Sequence, residues 1–479
     1  MFYLKLLEKI EKTLRIDGAG DDANPDHDRY TVNKKNYNKV LIKNAPFIFT
    51  SDSSDKLSFK KNHSIEIENG IITKVFRLKN FNHKDYDLVY DASKRGGIIV
   101  TPGLVNTHAH IHMYLLRSAM MLDEGEGVDQ AIADMAVWQK NDSDEQMAFA
   151  SVADLTEQQK YGITTTLTQG PSFHAHEAAA RATQHNLVNA VSVVSNSRPS
   201  NNLEMARKIF KEKDKYFSIP ATSLHYLYKA PKETLKKIKN LIEEHDALLT
   251  FHMSESPYVV KQTVKNHGMR EVRLLEKMGL LNDRSIASHV LHVNTPEIKK
   301  MALNRVGIAH LPTSNTIHKS GIFPIFRFMD TAGPGKISLG TDSVISKNRL
   351  DILTEAYQAR LTHIFKRTLK FSTLFKMMTS SGANVLHMPD RGKIIPGMKA
   401  DLAFWKIKDR GCIPYDEKNP FTLIGNIITH NGRTVRDLMI NGKFVIKNRR
   451  HQLINESKLL DSIQAQHTKM RKRSLRRAR

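Results

Sequence analysis

Two histidines two residues apart, His108 and His110, close an apolar run that begins at Gly97 (GIIVTPGLVNTHAH). Side chains alternate faces along a strand, so both imidazoles point the same way and can chelate one ion. Alone the spacing is a weak signal, because paired histidines often merely cap a strand. His174 and His176 repeat it in a stretch read as a loop after a strand, and are taken as ordinary side chains. What lifts the first pair is the company at the ends of later apolar runs. Leu248 to Phe251 leads into His252-Met253-Ser254-Glu255, Ser285 to Ser288 into His289, and Ile337 to Gly340 into Thr341-Asp342. Neutral imidazoles with a carboxylate form a nitrogen and oxygen set suited to zinc first, and to iron or manganese nearly as well. The single cysteine, Cys412, excludes both an intramolecular disulfide and a thiolate cluster.

These residues need a scaffold that brings strand ends together. Strand-like runs alternate with helical patterns, as in Ser143 to Tyr161 before Ile163 to Thr168, or Pro231 to Glu244 before Ala247 to His252. Such alternation predicts βα units and a parallel sheet, and about 300 residues of it suit a (β/α)8 TIM barrel, where C-terminal strand ends converge. Short β-type runs flank it: Val40 to Thr50, Ser64 to Glu68 and Ile71 to Phe76 before it, Asp401 to Lys406, Arg436 to Ile440 and Lys443 to Ile446 after it. Asn69-Gly70 and Asn441-Gly442 read as hairpin turns, since both residue types tolerate positive φ. The fold class is thus α/β: a barrel over 101–394, a composite β-sandwich from 39–100 and 395–450, an extension over 1–38 and a basic tail over 451–479. In the extension, Leu4, Leu7, Ile10 and Leu14 alternate with charges as in an amphipathic helix.

In this order the motifs resemble the amidohydrolase superfamily, in the branch of triazine hydrolases and adenosine-derivative, cytosine and guanine deaminases. The resemblance runs from about Lys39 to about Lys447. It is carried by PGLVNTHAH (102–110), YGITTT (161–166), SLHYLY (223–228), HMSE (252–255), SHVLH (288–292), HLPTSN (310–315), LGTD (339–342) and GKIIPGMKADLAFW (392–405). It implies that His108, His110, His252 and Asp342 bind one divalent ion, which lowers the pKa of its water from near 16 to roughly 7. Glu255 would move the water proton to the substrate ring, with Asp342 and His289 steadying the water and the tetrahedral intermediate. His225 and His289 would contact substrate, and His292 and His310 match family positions as supporting or packing residues. The reaction implied is hydrolysis of a carbon–nitrogen bond in a small heterocyclic amine, a deamination. Loss of chloride or cleavage of an amide by the same attack stays open. Relatives also imply a homo-oligomer.

Several features depart from that pattern. His112 extends the pair to H-x-H-x-H where many relatives have proline, and is read as a pocket wall. Asp342 is followed by Ser343 to Asn348 rather than by glycine and asparagines, and the ribose-binding acid of adenosine-type deaminases is missing around Val137-Trp138-Gln139-Lys140. Arg117 and Arg181 are given no role. Lysine and arginine outnumber acids 73 to 49, a formal charge of +24 that favours anionic partners. Lys469, Arg471, Lys472, Arg473, Arg476, Arg477 and Arg479 crowd an end expected to be a solvated tail. Elsewhere the charge lacks the interleaved glycines and aromatics of single-strand binders, so nucleic acid is not the expected partner. A scaffold that binds nucleic acid without catalysis is the alternative of a different class. No apolar run is long enough to span a bilayer, and Glu8 and Glu11 break any signal-like stretch, so the expected location is the cytoplasm.

Overall fold

The computed structural model describes residues 2–16, 29–34, 37–118, 135, 138, 142–194, 202–430 and 432–475. Its first strands are β1 (Tyr30–Val32), β2 (Lys39–Ser51), β3 (Leu57–Glu68), β4 (Ile71–Phe76), β5 (Leu88–Asp91) and β6 (Ile98–Pro102). Asn69 and Gly70 take φ of 50° and 79°, the left-handed pair a two-residue hairpin between β3 and β4 requires. Strand β2 carries a bulge between Ile42 and Ala45, where Asn44 has φ 53°. Its first half pairs with β5, and its second with β6, so one strand serves two neighbours.

The chain then enters eight parallel strands: β7 (Leu104–Ala109), β8 (Ile163–Gly170), β9 (Asn186–Ser192), β10 (Ile219–Tyr226), β11 (Leu249–Met253), β12 (Ser285–His289), β13 (Gly307–His310) and β14 (Ile337–Leu339). Neighbours in sequence are neighbours in space throughout. Helices separate them, as Asp144–Lys160 does β7 from β8, its start fixed by a capping box of Ser143 and Gln146. Closure occurs at the strand tops. Ala109 bridges Asp342, the Asp342 N–H donates to the His108 carbonyl at 3.1 Å, and His110 N–H returns to the Asp342 carbonyl at 3.3 Å. The expected (β/α)8 barrel is therefore the fold, and the last closing contact involves three of the residues singled out for chemistry.

The final strands, β15 (Leu402–Lys406), β16 (Asp437–Ile440), β17 (Lys443–Lys447) and β18 (Arg450–His451), return to the first sheet, β15 lying antiparallel to β6. Among the described residues the sheet has ten strands, drawn from both ends of the chain. Its apolar side chains, among them Ile42, Ile65, Tyr90, Val100, Phe404 and Phe444, form one buried cluster. The two hairpins meet: a Cβ on Gly70 would fall 2.6 Å from the Asn441 carbonyl oxygen.

Both chain ends differ from the sequence-based picture. Phe2–Leu14 is a helix, but its buried face is Tyr3, Leu6, Ile10 and Leu14, whereas Leu4 is exposed. Tyr3 joins the face because its ring packs against Tyr216 and stacks on His174. The expected solvated tail is instead a helix, Glu456–Leu475, in contact with Asp144–Lys160 and Phe2–Leu14. Leu459, Ile463 and Met470 recur at helical spacing and pack into a second cluster with Leu6, Ile10 and Phe149, a stripe that the run of positive charge concealed. Arg476, Arg477 and Arg479 lie outside the described residues.

Candidate functional site

Each candidate side chain stands at or just past the top of a barrel strand: His108 and His110 at β7, His225 at β10, His252 and Glu255 at β11, His289 at β12, Asp342 after β14. Glycine at 340 permits the last approach, since a Cβ there would come within about 3 Å of the His108 backbone, at 2.8 to 3.1 Å from its atoms. Asp342 itself takes φ 61°. All but His225 are buried, and His225 is half-buried.

The imidazoles share one arrangement. His110 donates from Nδ1 to the Gln169 carbonyl at 3.1 Å, and His252 from Nδ1 to the His225 carbonyl at 3.0 Å. A carbonyl only accepts, so the proton sits on Nδ1 and Nε2 carries the lone pair, which in His252 accepts from the Gln169 side-chain amide at 3.1 Å. His108 Nδ1 meets the Ser288 hydroxyl at 2.8 Å. The opposite nitrogens converge: His110 Nε2 is 3.3 Å from His252 Nε2 and 3.5 Å from Asp342 Oδ1, and His108 Nε2 is 3.9 Å from the same oxygen. His108 Nε2 is buried without a hydrogen-bond partner. Atoms of His108, His110 and Asp342 lie within 4.8 Å of one another, as do those of His108, His252 and His289, a spacing able to hold an ion.

The electrostatics agree with neutral nitrogen donors beside a charged oxygen donor. Burial holds the His108 and His252 imidazoles well below their ordinary range, and lowers His110 too. Burial alone would push the Asp342 carboxyl up, but His110, His108 and His289 outweigh it, helped by the Ser314 hydroxyl, and hold it below the usual range. Ser314 donates to Asp342 Oδ2 at 2.6 Å. The adjacent Asn315 pairs with His289 Nδ1 at 2.8 Å, and His289 Nε2 faces Glu255 Oε1 at 3.5 Å. Glu255 Oε2 accepts from the Tyr226 hydroxyl at 2.6 Å.

The remaining sequence candidates separate from this group. His225 lies with its ring 4.8 Å from that of His252, and Lys229 Nζ donates to its Nδ1 at 3.3 Å. His112 is buried, 6.2 Å from the His110 ring and 5.7 Å from that of His176. His174 and His176 belong to the helix Phe173–Thr183 rather than to a loop, because Ser172 caps it. His176 pairs with Asn189 and His174 with aromatic rings. His310 packs on Phe323 and His363, and His292 bonds the Ser320 carbonyl. Arg117 pairs with Glu157 and Arg181 with Glu177. Trp138 stacks on His467 of the C-terminal helix at 6.4 Å, while Val137, Gln139 and Lys140 lie outside the described residues. Sequence reasoning gave no role to Gln169, Tyr226, Ser288, Ser314 or Asn315, although four of them sit inside motifs it singled out.

A family model, described as the amidohydrolase family, matches residues 99–445. The chain belongs to the amidohydrolase family. It is a metal-dependent hydrolase. Among curated amidohydrolase relatives, a 5-methylthioadenosine/S-adenosylhomocysteine deaminase of Pyrococcus furiosus is 28% identical over 438 residues, covering 88% of this chain and 98% of the relative. A 5'-deoxyadenosine deaminase of Methanosphaera stadtmanae is 26% identical, over 87% and 95%. Among solved structures, an adenosine deaminase from Xanthomonas campestris with bound zinc superposes at a TM-score of 0.80 with 21% identity, over 90% of this chain and 98% of that one. Atrazine chlorohydrolase from Arthrobacter aurescens, complexed with zinc, does so at 0.79 with 21% identity, over 89% and 100%. These likenesses agree with the fold. No helix among the described residues is long and apolar enough to cross a membrane.

Proposed function

We propose that this amidohydrolase is an aminohydrolase of a small heteroaromatic amine, with His108, His110, His252 and Asp342 as ligands of one divalent ion, zinc before iron or manganese. The observation that carries the reading is the shared orientation of three imidazoles. Each ties its Nδ1 outward and turns Nε2 toward the point that Asp342 Oδ1 also faces. The buried His108 Nε2, which has no hydrogen-bond partner, fits the role of a ligand atom. When bound, the ion would supply Lewis-acid activation of water.

The rest of the chemistry belongs to side chains. Glu255 takes one proton from the attacking water and delivers it to a ring nitrogen as the carbon–oxygen bond forms. His289, held by Asn315, and Asp342, held by Ser314, fix where that water sits. The carbon–nitrogen bond then breaks, the amine leaves as ammonia with the second water proton, and the ring keeps a carbonyl. The deaminase relatives support ammonia as the leaving group. No carboxylate stands at Val137 to Lys140, so recognition of the ring amine, not of ribose hydroxyls, carries this reading.

The test is release of ammonia, against release of chloride, by zinc-loaded protein offered 5-methylthioadenosine, adenosine, cytosine and atrazine. Ammonia from an amine-bearing ring, abolished in Glu255→Gln, is the expected result. Chloride from atrazine without ammonia from any amine would overturn the deaminase reading in favour of dechlorination.

A further inference from the structure

Strand β10 ends in an irregularity. Its register against β11 shifts between Ser223 and Tyr226, and His225 takes φ 56°. In a regular strand consecutive side chains point to opposite faces, so His225 and Tyr226 could not both address the barrel mouth. The bulge re-aims them. The His225 ring lies 4.8 Å, and the Tyr226 ring 4.9 Å, from the ring of His252. Tyr226 is 2% exposed, and its hydroxyl reaches Glu255 Oε2 at 2.6 Å. The other carboxylate oxygen, Oε1, is the one that faces His289.

We propose that Tyr226 is a positioning residue for proton transfer: its hydroxyl occupies Glu255 Oε2, so that Oε1 alone takes the proton from water and passes it to the ring. The inference rests on the deaminase reading above. The phenol keeps its own proton throughout and acts only as a donor. Lys229 Nζ stands 5.3 Å over the Tyr226 ring, and a cation there favours donation by the hydroxyl. A carboxylate without this bond could rotate and present either oxygen, and hydrogen bonds to charged groups are the strong ones.

Tyr226→Phe removes one oxygen and leaves the ring against His252. The experiment compares Tyr226→Phe, Glu255→Asp and the double variant with the parent, as zinc-loaded full chains, by metal content, Tm and ammonia release from whichever of 5-methylthioadenosine, adenosine and cytosine the parent turns over fastest. The expected result is a loss of about ten- to hundredfold in kcat for Tyr226→Phe, with KM and metal content unchanged and Tm lowered only as far as one lost buried hydrogen bond accounts for. Glu255→Asp withdraws the carboxylate from the hydroxyl, so in that background Tyr226→Phe should cost little more. A Phe variant with parental kcat, or losses that multiply fully in the double variant, would overturn the inference and leave Tyr226 a packing residue. A parent that releases no ammonia from any of these rings overturns the functional reading, and this inference with it.

Discussion

Two buried polar clusters, one at each end of the barrel, pair their groups in opposite ways. At the bottom, where the barrel meets the ten-stranded sheet, the polar groups around Asp401 are paired with one another. Arg391 pairs with Asp401, Asn186 donates to Asp401 at 3.0 Å and Arg391 to Asn441 at 3.0 Å. The Asn441 backbone N–H closes the set on Asp401 at 2.7 Å. At the top, His108 Nε2 is buried without a partner, and Glu271, buried among β11 and its neighbours, has one oxygen on the Ser254 hydroxyl and the other unpartnered. Saturated polar groups hold elements together, whereas unsatisfied ones converging on a point cost stability and mark a place for a ligand. In a (β/α)8 barrel that division falls between the two faces: the bottom serves stability and the top serves chemistry.

Substitutions sharpen or break this contrast. The largest effect belongs to the top: Glu255→Gln should lower kcat by about 10²- to 10⁴-fold without loss of metal or Tm, read by steady-state ammonia release. At the bottom, Asp401→Ala removes from the buried Arg391 its nearest carboxylate, leaving it Asn441 and the more distant Asp390. It should cost about 3–5 kcal/mol in a urea unfolding curve while metal content per folded chain stays parental. Loss of metal from that variant, or a stability loss of similar size in Glu255→Gln, would break the contrast.

Glu271 offers a pH test. Burial pushes its carboxyl up to about 7 against an ordinary value of 4.5. Between those values the unfolded chain releases this proton and the folded chain keeps it, so the folded state binds more protons and its stability falls as pH rises through the window. Glu271→Gln should flatten the stability profile between about pH 4.5 and 7 by roughly 3 kcal/mol. An unchanged slope would mean that Glu271 finds a partner after all. The smallest effect is expected at Ser288, which touches no ion: Ser288→Ala should weaken zinc affinity by about 10- to 100-fold in a chelator competition, through looser orientation of His108.

Much of this was legible in the sequence, for identifiable reasons. Strand periodicity and the order of the histidine, glutamate and aspartate motifs are local signals. They placed His108, His110, His252, His289 and Asp342 at strand ends before any contact was known. The hairpins at Asn69-Gly70 and Asn441-Gly442 were equally local, set by residues that accept positive φ. The partners of the site residues were not legible. Gln169 and Ser288 matter because of which strand lies beside which, and Tyr226 because a bulge at His225 turns it inward. The chain ends misled for another reason. Charge density in 469–479 masked the apolar stripe of Leu459, Ile463 and Met470, and Leu4 fits a helical stripe as well as Tyr3 until a neighbouring ring selects one face.

The central claim is that the converging nitrogens and the Asp342 oxygen hold one ion. Elemental analysis of the purified parent beside the His110→Ala, Asp342→Ala double variant tests it directly. About one divalent ion per parent chain, absent from a folded double variant, is the expected result. A parent that binds no zinc, iron or manganese after reconstitution, or a double variant that keeps its ion, would contradict it.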